Sequence, residues 1–271
     1  MTEVRPAQII FLGHSTIVID IDGVRILTDP ILRPRAGPLV RLPKAIEAEH
    51  WADVDTVLIS HSHWDHLDYG SLKMVGTGAS IAVPAGMGAE LLKRGFSDVI
   101  ELMPGEDHEV RGVRIEATHA EHKGFGPPVG PTERSIGFLV HGSRTVYFAG
   151  DTAFFEGMAG FGVGLDLALI PVWGWGPTAK PSEHLDPQGA ARAIAVIKPR
   201  YAVPIHWGTL HPMGFRWMRP ATRIDPPHHF AQIVRRVAPR TIVRVMPVGS
   251  RLDLPEAVLG DADDGSPRGG L

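Results

Sequence analysis

The chain contains no cysteine, and this absence excludes two kinds of structure. A disulfide framework cannot form, and a zinc site built from thiolates cannot exist. Any metal ion that the protein binds must therefore be ligated by histidine and carboxylate side chains. Both are available, because the 271 residues include 14 histidines and 30 aspartates and glutamates.

An excess of positive charge is also missing: 27 lysines and arginines face 30 acidic residues, and the formal net charge is −3. A basic surface is not indicated, so we expect no nucleic-acid partner. No apolar run approaches about 18 residues, so we expect no transmembrane helix. Residues 1–6 lack the basic and then apolar pattern of a secretory signal, and we expect a cytoplasmic protein. Peripheral contact with a membrane and homo-oligomerisation are both left open.

The composition predicts one domain of generous size. A chain of this length with 44% apolar residues can bury a large core, and we assign residues 1–254 to that domain. Residues 255–271 are acidic and rich in glycine, so we expect a disordered tail. Short apolar runs alternate with segments of helical spacing such as 187–198, which follows a capping residue, Asp186. This alternation predicts an α/β fold.

The most informative segment is HSHWDH at residues 61–66, which packs three histidines and one aspartate into six positions. It follows the apolar run 57–59, which reads as a buried strand. A strand that ends in this way directs several side chains outward from one loop. Imidazole nitrogen and carboxylate oxygen are ligand types that zinc accepts. A polar surface turn is the alternative interpretation, but this spacing rarely arises by chance.

Three further apolar runs end in a candidate ligand, at His119, Asp151 and His206. Open α/β sheets place their sites at the carboxyl ends of strands, so we expect these side chains to converge on the first segment. Seven ligands would suffice for two adjacent metal ions that share one carboxylate. The predicted set is His61, His63, Asp65, His66, His119, Asp151 and His206.

Together these segments resemble the metallo-β-lactamase fold superfamily, from about Gln8 to Gly249. The motifs FLGHST at 11–16, HLDP at 184–187 and IHWGT at 205–209 are similar to a narrower branch. That branch contains the N-acylphosphatidylethanolamine-hydrolysing phospholipase D enzymes and the bacterial L-ascorbate-6-phosphate lactonases. The resemblance implies an αββα sandwich of two mixed β-sheets flanked by helices.

The resemblance also implies how the ligands are shared. The first metal would be bound by His61, His63 and His119, the second by Asp65, His66 and His206, and Asp151 would bridge the two. Zn²⁺ is the expected ion, with Mn²⁺ and Fe²⁺ as alternatives. A water between two cations has its pKa lowered from about 15.7 toward about 7, so a bridging hydroxide would attack an ester, lactone, amide or phosphodiester. Phospholipase D-like and lactonase-like hydrolysis are both consistent with the motifs.

Two residues are candidates for catalysis: Asp65, as a ligand of the second metal, and His184, which lies just before the helix start at Asp186. In the similar enzymes this histidine lies near the metals and contacts substrate. We expect it to donate to developing negative charge or to act as the acid for the leaving group, with a structural role as the alternative. His14 is interpreted as a structural hydrogen-bonding residue. His122 is interpreted equally well as lining the pocket or as structural.

Aromatic residues are concentrated near the predicted metal loops, including Trp64, Trp173, Trp175 and Trp207. Pockets for apolar ligands are lined in this way, so we expect a small-molecule, partly apolar substrate. Two other functional classes remain open: an iron-binding oxidoreductase on the same fold, and a non-catalytic metal-binding protein. In the diiron oxidoreductases of the superfamily a glutamate commonly replaces the second histidine of the motif, so His63 favours hydrolysis. A non-catalytic protein is expected to have lost a ligand, and none of the seven is missing.

Overall fold

The computed structural model describes residues 7–42, 46–123, 134–161, 164–173, 183–213 and 221–255, and for 221–223 the backbone alone. The predicted tail after 255, residues 124–133 and Trp175 lie outside these residues. Within them the strands are β1 (Gln8–Gly13), β2 (Thr16–Ile21), β3 (Val24–Thr28), β4 (Arg35–Ala36), β5 (Leu39–Arg41), β6 (Thr56–Leu58), β7 (Ser80–Pro84), β8 (Val99–Leu102), β9 (Asp107–Val110), β10 (Val113–His119), β11 (Ile136–His141), β12 (Thr145–Phe148), β13 (Leu167–Pro171), β14 (Tyr201–Ile205), β15 (Leu210–Pro212), β16 (Ile242–Val243) and β17 (Arg251–Asp253). The α-helices are α1 (Tyr69–Val75), α2 (Gly88–Lys93), α3 (Pro187–Ile197) and α4 (Ala221–Val237).

The first large sheet has the strand order β17-β1-β2-β3-β6-β7-β8. Strands β17, β1, β2 and β3 pair antiparallel, whereas β3, β6, β7 and β8 pair parallel. Asp22 and Gly23 join β2 to β3 with φ angles of 51° and 79°. Two successive residues with positive φ are typical of the type I′ turn, whose twist matches that of an antiparallel hairpin.

The second large sheet has the order β16-β14-β13-β12-β11-β10-β9. It is antiparallel from β9 to β12 and parallel from β12 to β16. Both large sheets are therefore mixed. A third, small sheet of β15, β5 and β4 joins the region before residue 42 to the segment that follows β14.

The main core lies between the two large sheets, and it takes side chains from both, among them Phe11 and Ile19 from the first sheet and Phe138 and Phe148 from the second. Burying a side chain of this size contributes about 1.5–3 kcal/mol relative to leaving it exposed. The two sheets consequently form the inner layers of the sandwich.

Helices cover the outer faces. Helices α1 and α2 pack on β6 and β7, and helices α3 and α4 pack on β12, β13 and β14. Helix α3 begins as predicted, because the Asp186 side chain accepts a hydrogen bond from the backbone N–H of Gly189. The expected αββα sandwich is confirmed. Among the described residues, no helix combines the length and hydrophobicity that crossing a membrane requires.

Candidate metal centre

The candidate ligands meet at one edge of the sandwich, where strands of both sheets end. The loop after β6 supplies residues 61–66, and Asp151 and His206 follow β12 and β14. Strand β10 runs in the same direction as β12, because both are antiparallel to β11. The chain segment after β10 therefore reaches the same edge, and the two sheets contribute to one buried site.

The first cluster contains three ring nitrogens. His61 Nε2 lies 2.9 Å from His63 Nδ1, and His122 Nε2 lies 3.2 Å from the same atom. Burial lowers the pKa of His61 well below its usual range, lowers that of His63 to about 4 and also lowers that of His122. All three rings are consequently neutral near pH 7, and neutral imidazole is the form that binds a metal ion.

The second cluster surrounds the carboxylate of Asp65. Its Oδ2 atom lies 3.2 Å from His206 Nε2, 3.1 Å from His14 Nε2 and 3.7 Å from His66 Nε2. Burial would raise the pKa of Asp65, but the His66 ring and the hydrogen bonds from His14 and His206 hold it well below its usual range. The carboxylate is therefore ionised and available to a cation.

Asp151 lies between the two clusters. Its Oδ2 atom is 3.5 Å from His66 Nε2 and 3.3 Å from His206 Nε2, and the carboxylate also approaches His61. Burial would lower the pKa values of both His66 and His206, but nearby carboxylates, Asp151 foremost, outweigh it. They hold the pKa of His66 well above its usual range and raise that of His206 to about 9. A cation bound here would replace these protons.

Among the candidate ligands that the structure describes, two buried atoms form no hydrogen bond of acceptable geometry: Asp151 Oδ1, and His66 Nε2, which lies 3.5 Å from Asp151 Oδ2. Leaving a buried polar atom unsatisfied costs about 1–3 kcal/mol, so such atoms are rare without a reason. Here both atoms face a set of imidazole nitrogens and carboxylate oxygens, which is a donor set that divalent cations accept. The residues present therefore fit the binding of divalent metal ions.

Four histidines of the clusters are also oriented as metal ligands usually are, with the second ring nitrogen bonded to a protein acceptor. The acceptors are Ser60 Oγ for His61 (2.9 Å), Asp29 Oδ2 for His66 (2.6 Å), the Glu183 carbonyl for His122 (2.8 Å) and the Trp173 carbonyl for His206 (2.6 Å). Ser60 Oγ donates its own proton to Asp29, so it accepts from His61 Nδ1–H and leaves Nε2 with a lone pair.

Asp29 is a functional residue that the sequence interpretation missed. It follows β3, is fully buried, and accepts hydrogen bonds from the Ser60 N–H at 2.8 Å, the Ser60 hydroxyl at 2.6 Å and His66 Nδ1 at 2.6 Å. The signal was present, because Asp29 comes directly after an apolar run, as the predicted ligands do.

The structure does not bring His119 to these clusters. Its side chain is 50% exposed, its Nε2 lies 3.2 Å from Glu121 Oε2, and its ring packs against Phe155. The chain turns after His119, and the turn is fixed by a hydrogen bond from the Glu121 N–H to Thr152 Oγ1 (3.0 Å). This turn carries His122, three residues later, into the position that His119 was expected to occupy.

His184, the candidate catalytic residue, lies beside the clusters. Its Nδ1 is 3.3 Å from Asp151 Oδ2, its ring centroid is 4.7 Å from that of His122, and 18% of its side chain is exposed. Trp207, by contrast, stacks on Phe11 in the core, and its indole N–H donates to the Pro204 carbonyl. Trp207 is consequently part of the packing beneath the site.

Comparison with known proteins agrees with this geometry. A family described as the beta-lactamase superfamily domain matches residues 24–207. An N-acyl-phosphatidylethanolamine-hydrolyzing phospholipase D of Caenorhabditis elegans is 31% identical over 229 residues, which are 75% of this chain and 64% of that enzyme. A metal-dependent hydrolase of Thermoplasma acidophilum is 31% identical over 206 residues, which are 74% of this chain and 84% of that protein. The solved structure of Igni18, a metallo hydrolase from the archaeon Ignicoccus hospitalis, is 26% identical with a TM-score of 0.71, covering 92% of this chain and 98% of that one.

Proposed function

Because the chain belongs to the metal-dependent hydrolases of the β-lactamase superfamily, we propose that it binds two divalent cations and hydrolyses an ester, lactone, amide or phosphodiester. The observation that carries the proposal is the pair of buried clusters that share Asp151, whose Oδ1 atom has no partner among the described residues. One cluster alone would explain one metal ion. Two clusters with a carboxylate between them favour a dinuclear site.

The ligand assignment follows the converging atoms. The first cation would be bound by His61 Nε2, His63 Nδ1 and His122 Nε2, so that His122 takes the place first assigned to His119. The second would be bound by the side chains of Asp65, His66 and His206. Asp151 would bridge the two. Zn²⁺ suits these nitrogen and oxygen donors, and Mn²⁺ and Fe²⁺ accept them as well.

A pair of bound cations would supply a water of lowered pKa, from about 15.7 toward about 7, and would stabilise the oxyanion of hydrolysis. The protein's own contribution is orientation. Ser60 and the carbonyls of Glu183 and Trp173 fix ring nitrogens, and the Asp29 carboxylate fixes His66. No side chain has to act as the nucleophile.

His184 is the best candidate for direct contact with substrate. It approaches Asp151 through Nδ1 but keeps part of its ring exposed, whereas the proposed ligands around it are more deeply buried. A ring in this position can donate to negative charge on the substrate or protonate the leaving group. Asp65 would act differently, since its carboxylate contributes only through the second cation.

The substrate class is proposed from the relatives. One of them is named as a phospholipase D, so phosphodiesters with an apolar group are the first class to test. Lactones are the second class, because the motifs at 11–16, 184–187 and 205–209 also resemble lactonases. We expect a small-molecule substrate, because the ligands lie in a buried site at one edge of the sandwich.

The experiment combines metal analysis with a substrate panel. Protein purified without added metal would be analysed by mass spectrometry for Zn, Mn and Fe, then assayed on phosphodiesters, lactones, aryl esters and amides before and after chelation. We expect two ions per chain, and hydrolysis that chelation abolishes and one of the three ions restores. Hydrolysis that survives complete removal of metal would overturn the proposal. Iron content with dioxygen consumption and no hydrolysis would instead indicate an oxidoreductase.

A further inference from the structure

His14 lies in the tight turn between β1 and β2, outside the proposed ligand set, yet its ring contacts the second cluster. The residue is fully buried, and its Nε2 lies 3.1 Å from Asp65 Oδ2. The ring centroids of His14 and His206 are 4.0 Å apart. The turn belongs to the first sheet and His206 to the second, so this contact spans the two inner layers of the sandwich.

The backbone at His14 has a strained conformation that is fixed by hydrogen bonds. His14 has a φ of 57° and His206 a φ of 60°, a region that residues other than glycine seldom adopt. The two residues are joined, because the His206 N–H donates to the His14 carbonyl at 2.9 Å. The His14 N–H donates to Thr209 Oγ1 at 2.7 Å. Conformations of this kind cost about 1–3 kcal/mol each and are concentrated at functional sites.

The turn is also tied from its other side by Arg41. This buried guanidinium donates to the carbonyl of Leu12, two residues before His14, and to the carbonyl of Ile31 at 2.8 Å. Ile31 follows Asp29 by two residues, so one side chain connects the His14 turn to the loop that orients His66. The turn that contains His14 is therefore hydrogen-bonded to three other residues of the chain: Arg41, His206 and Thr209.

We infer that His14 is a positioning residue, whose Nε2–H donates to Asp65 Oδ2 and fixes that carboxylate for the second cation. This inference rests on the proposed function. His206 Nε2 also lies near Asp65 Oδ2, but in the proposed site it gives its lone pair to the metal and its proton sits on Nδ1, bonded to the Trp173 carbonyl. Among these two rings, His14 is the one that can donate to Asp65 when the site is loaded.

Carboxylate ligands need such donors, because an unsupported carboxylate rotates and presents its oxygens poorly. Removing an outer-shell partner of a metal ligand typically costs about 10–100-fold in metal affinity. The loss should fall on the second cation, since the His14 ring contacts Asp65, His66 and His206, which are the proposed ligands of that cation.

Two variants separate the donor from the turn. His14→Gln places an amide N–H near the position of the histidine Nε2. His14→Asn suits the left-handed backbone but its amide ends near the position of Nδ1, too short to reach Asp65. Stepwise metal affinities would be measured by competition with a chromophoric chelator, together with metal content, melting temperature, kcat and KM.

We expect His14→Asn to weaken the second ion by about 10–100-fold, to leave the first ion and the melting temperature of the metal-free protein unchanged, and to lower kcat more than KM rises. We expect His14→Gln to recover most of the lost affinity. Wild-type affinity for both ions in His14→Asn would overturn the inference. Equal loss in both variants would also overturn it, in favour of His14 as a ligand or as a packing residue. A wild-type protein that binds fewer than two ions would instead overturn the proposed function.

Discussion

Replacing Asp29 by asparagine should test whether metal binding requires the His66 tautomer in which Nε2 carries no proton. In the native structure Asp29 Oδ1 accepts from the Ser60 N–H, and Oδ2 accepts from the Ser60 hydroxyl and from His66 Nδ1–H. Asparagine keeps the first acceptor but turns an NH₂ group toward His66. The ring can then keep its hydrogen bond only by accepting through Nδ1, which moves its proton to Nε2.

The proton would then occupy the atom that we propose as the ligand of the second cation. Outer-shell changes of this type cost about 10–100-fold in affinity, or about 1.4–2.8 kcal/mol. Alanine would be a poor choice at Asp29, because it leaves three buried donors without an acceptor. At about 1–3 kcal/mol each, that loss approaches the whole stability of a typical domain, about 5–15 kcal/mol. Asparagine has nearly the same size and carries no charge, so the fold should survive.

The assay is stepwise metal binding by chelator competition, with metal content by mass spectrometry and thermal unfolding followed by circular dichroism. A matched control is Asp68→Asn, since Asp68 also accepts a backbone N–H and a serine hydroxyl, both from Ser71, but at the start of α1. We expect the second ion to be weakened only in Asp29→Asn. If both variants bind two ions with wild-type affinity, the tautomer of His66 does not control the site and the reasoning is refuted.

Four further substitutions test the ligand assignment and the chemistry. His122→Ala should lose the first ion, with affinity lowered more than about 100-fold, whereas His119→Ala should keep both ions and near-native turnover; the reverse result in metal titrations would restore His119 as the ligand. Asp65→Ala should abolish most turnover while the far-UV circular dichroism spectrum stays native, and full turnover would show that one ion suffices. His184→Ala should lower kcat by roughly 10²-fold, the cost of losing a donor to developing charge, with metal content unchanged; a loss of metal would make His184 a ligand support.

The strand-end rule predicted much of the site from sequence. The segment 61–66, Asp151 and His206 each follow a short apolar run, and each lies in the clusters. Hydrophobic periodicity also predicted an α/β fold, although the name of the sandwich came from the resemblance. Both predictions use local information, namely where a buried strand stops and which polar residue comes next.

His119 and His122 show where local information ends. His119 is the last residue of β10 and His122 follows it by three residues, and nothing in the five residues from Thr118 to His122 decides which ring turns inward. That choice depends on the hydrogen bond between Glu121 and Thr152, which are 31 residues apart. A sequence pattern does not contain this contact, so His119, the first histidine that the apolar run reaches, was predicted as the ligand.

Asp29 was missed, and His14 was interpreted only as a structural hydrogen-bonding residue, for a related reason. Each comes directly after the carboxyl end of a strand, β1 and β3, and so satisfies the rule that identified the ligands. Using the rule there requires the strand directions: β1 and β3 are both antiparallel to β2, and β3 is parallel to β6, so their ends point to the same edge as the ligand loop. Pairing over such distances is fixed by the packed sheets.

The directions of the strands also explain why the site spans the sandwich. In the first sheet β1, β3 and β6 end at this edge and supply His14, Asp29 and the 61–66 segment. In the second sheet β10, β12, β13 and β14 end there and supply His122, Asp151, the Trp173 carbonyl and His206. Neither sheet alone contains a complete set of ligands for the proposed second cation. Because that set is assembled across the core to which Phe11 and Phe148 belong, we expect binding of the proposed second cation to stabilise the packing of the two sheets.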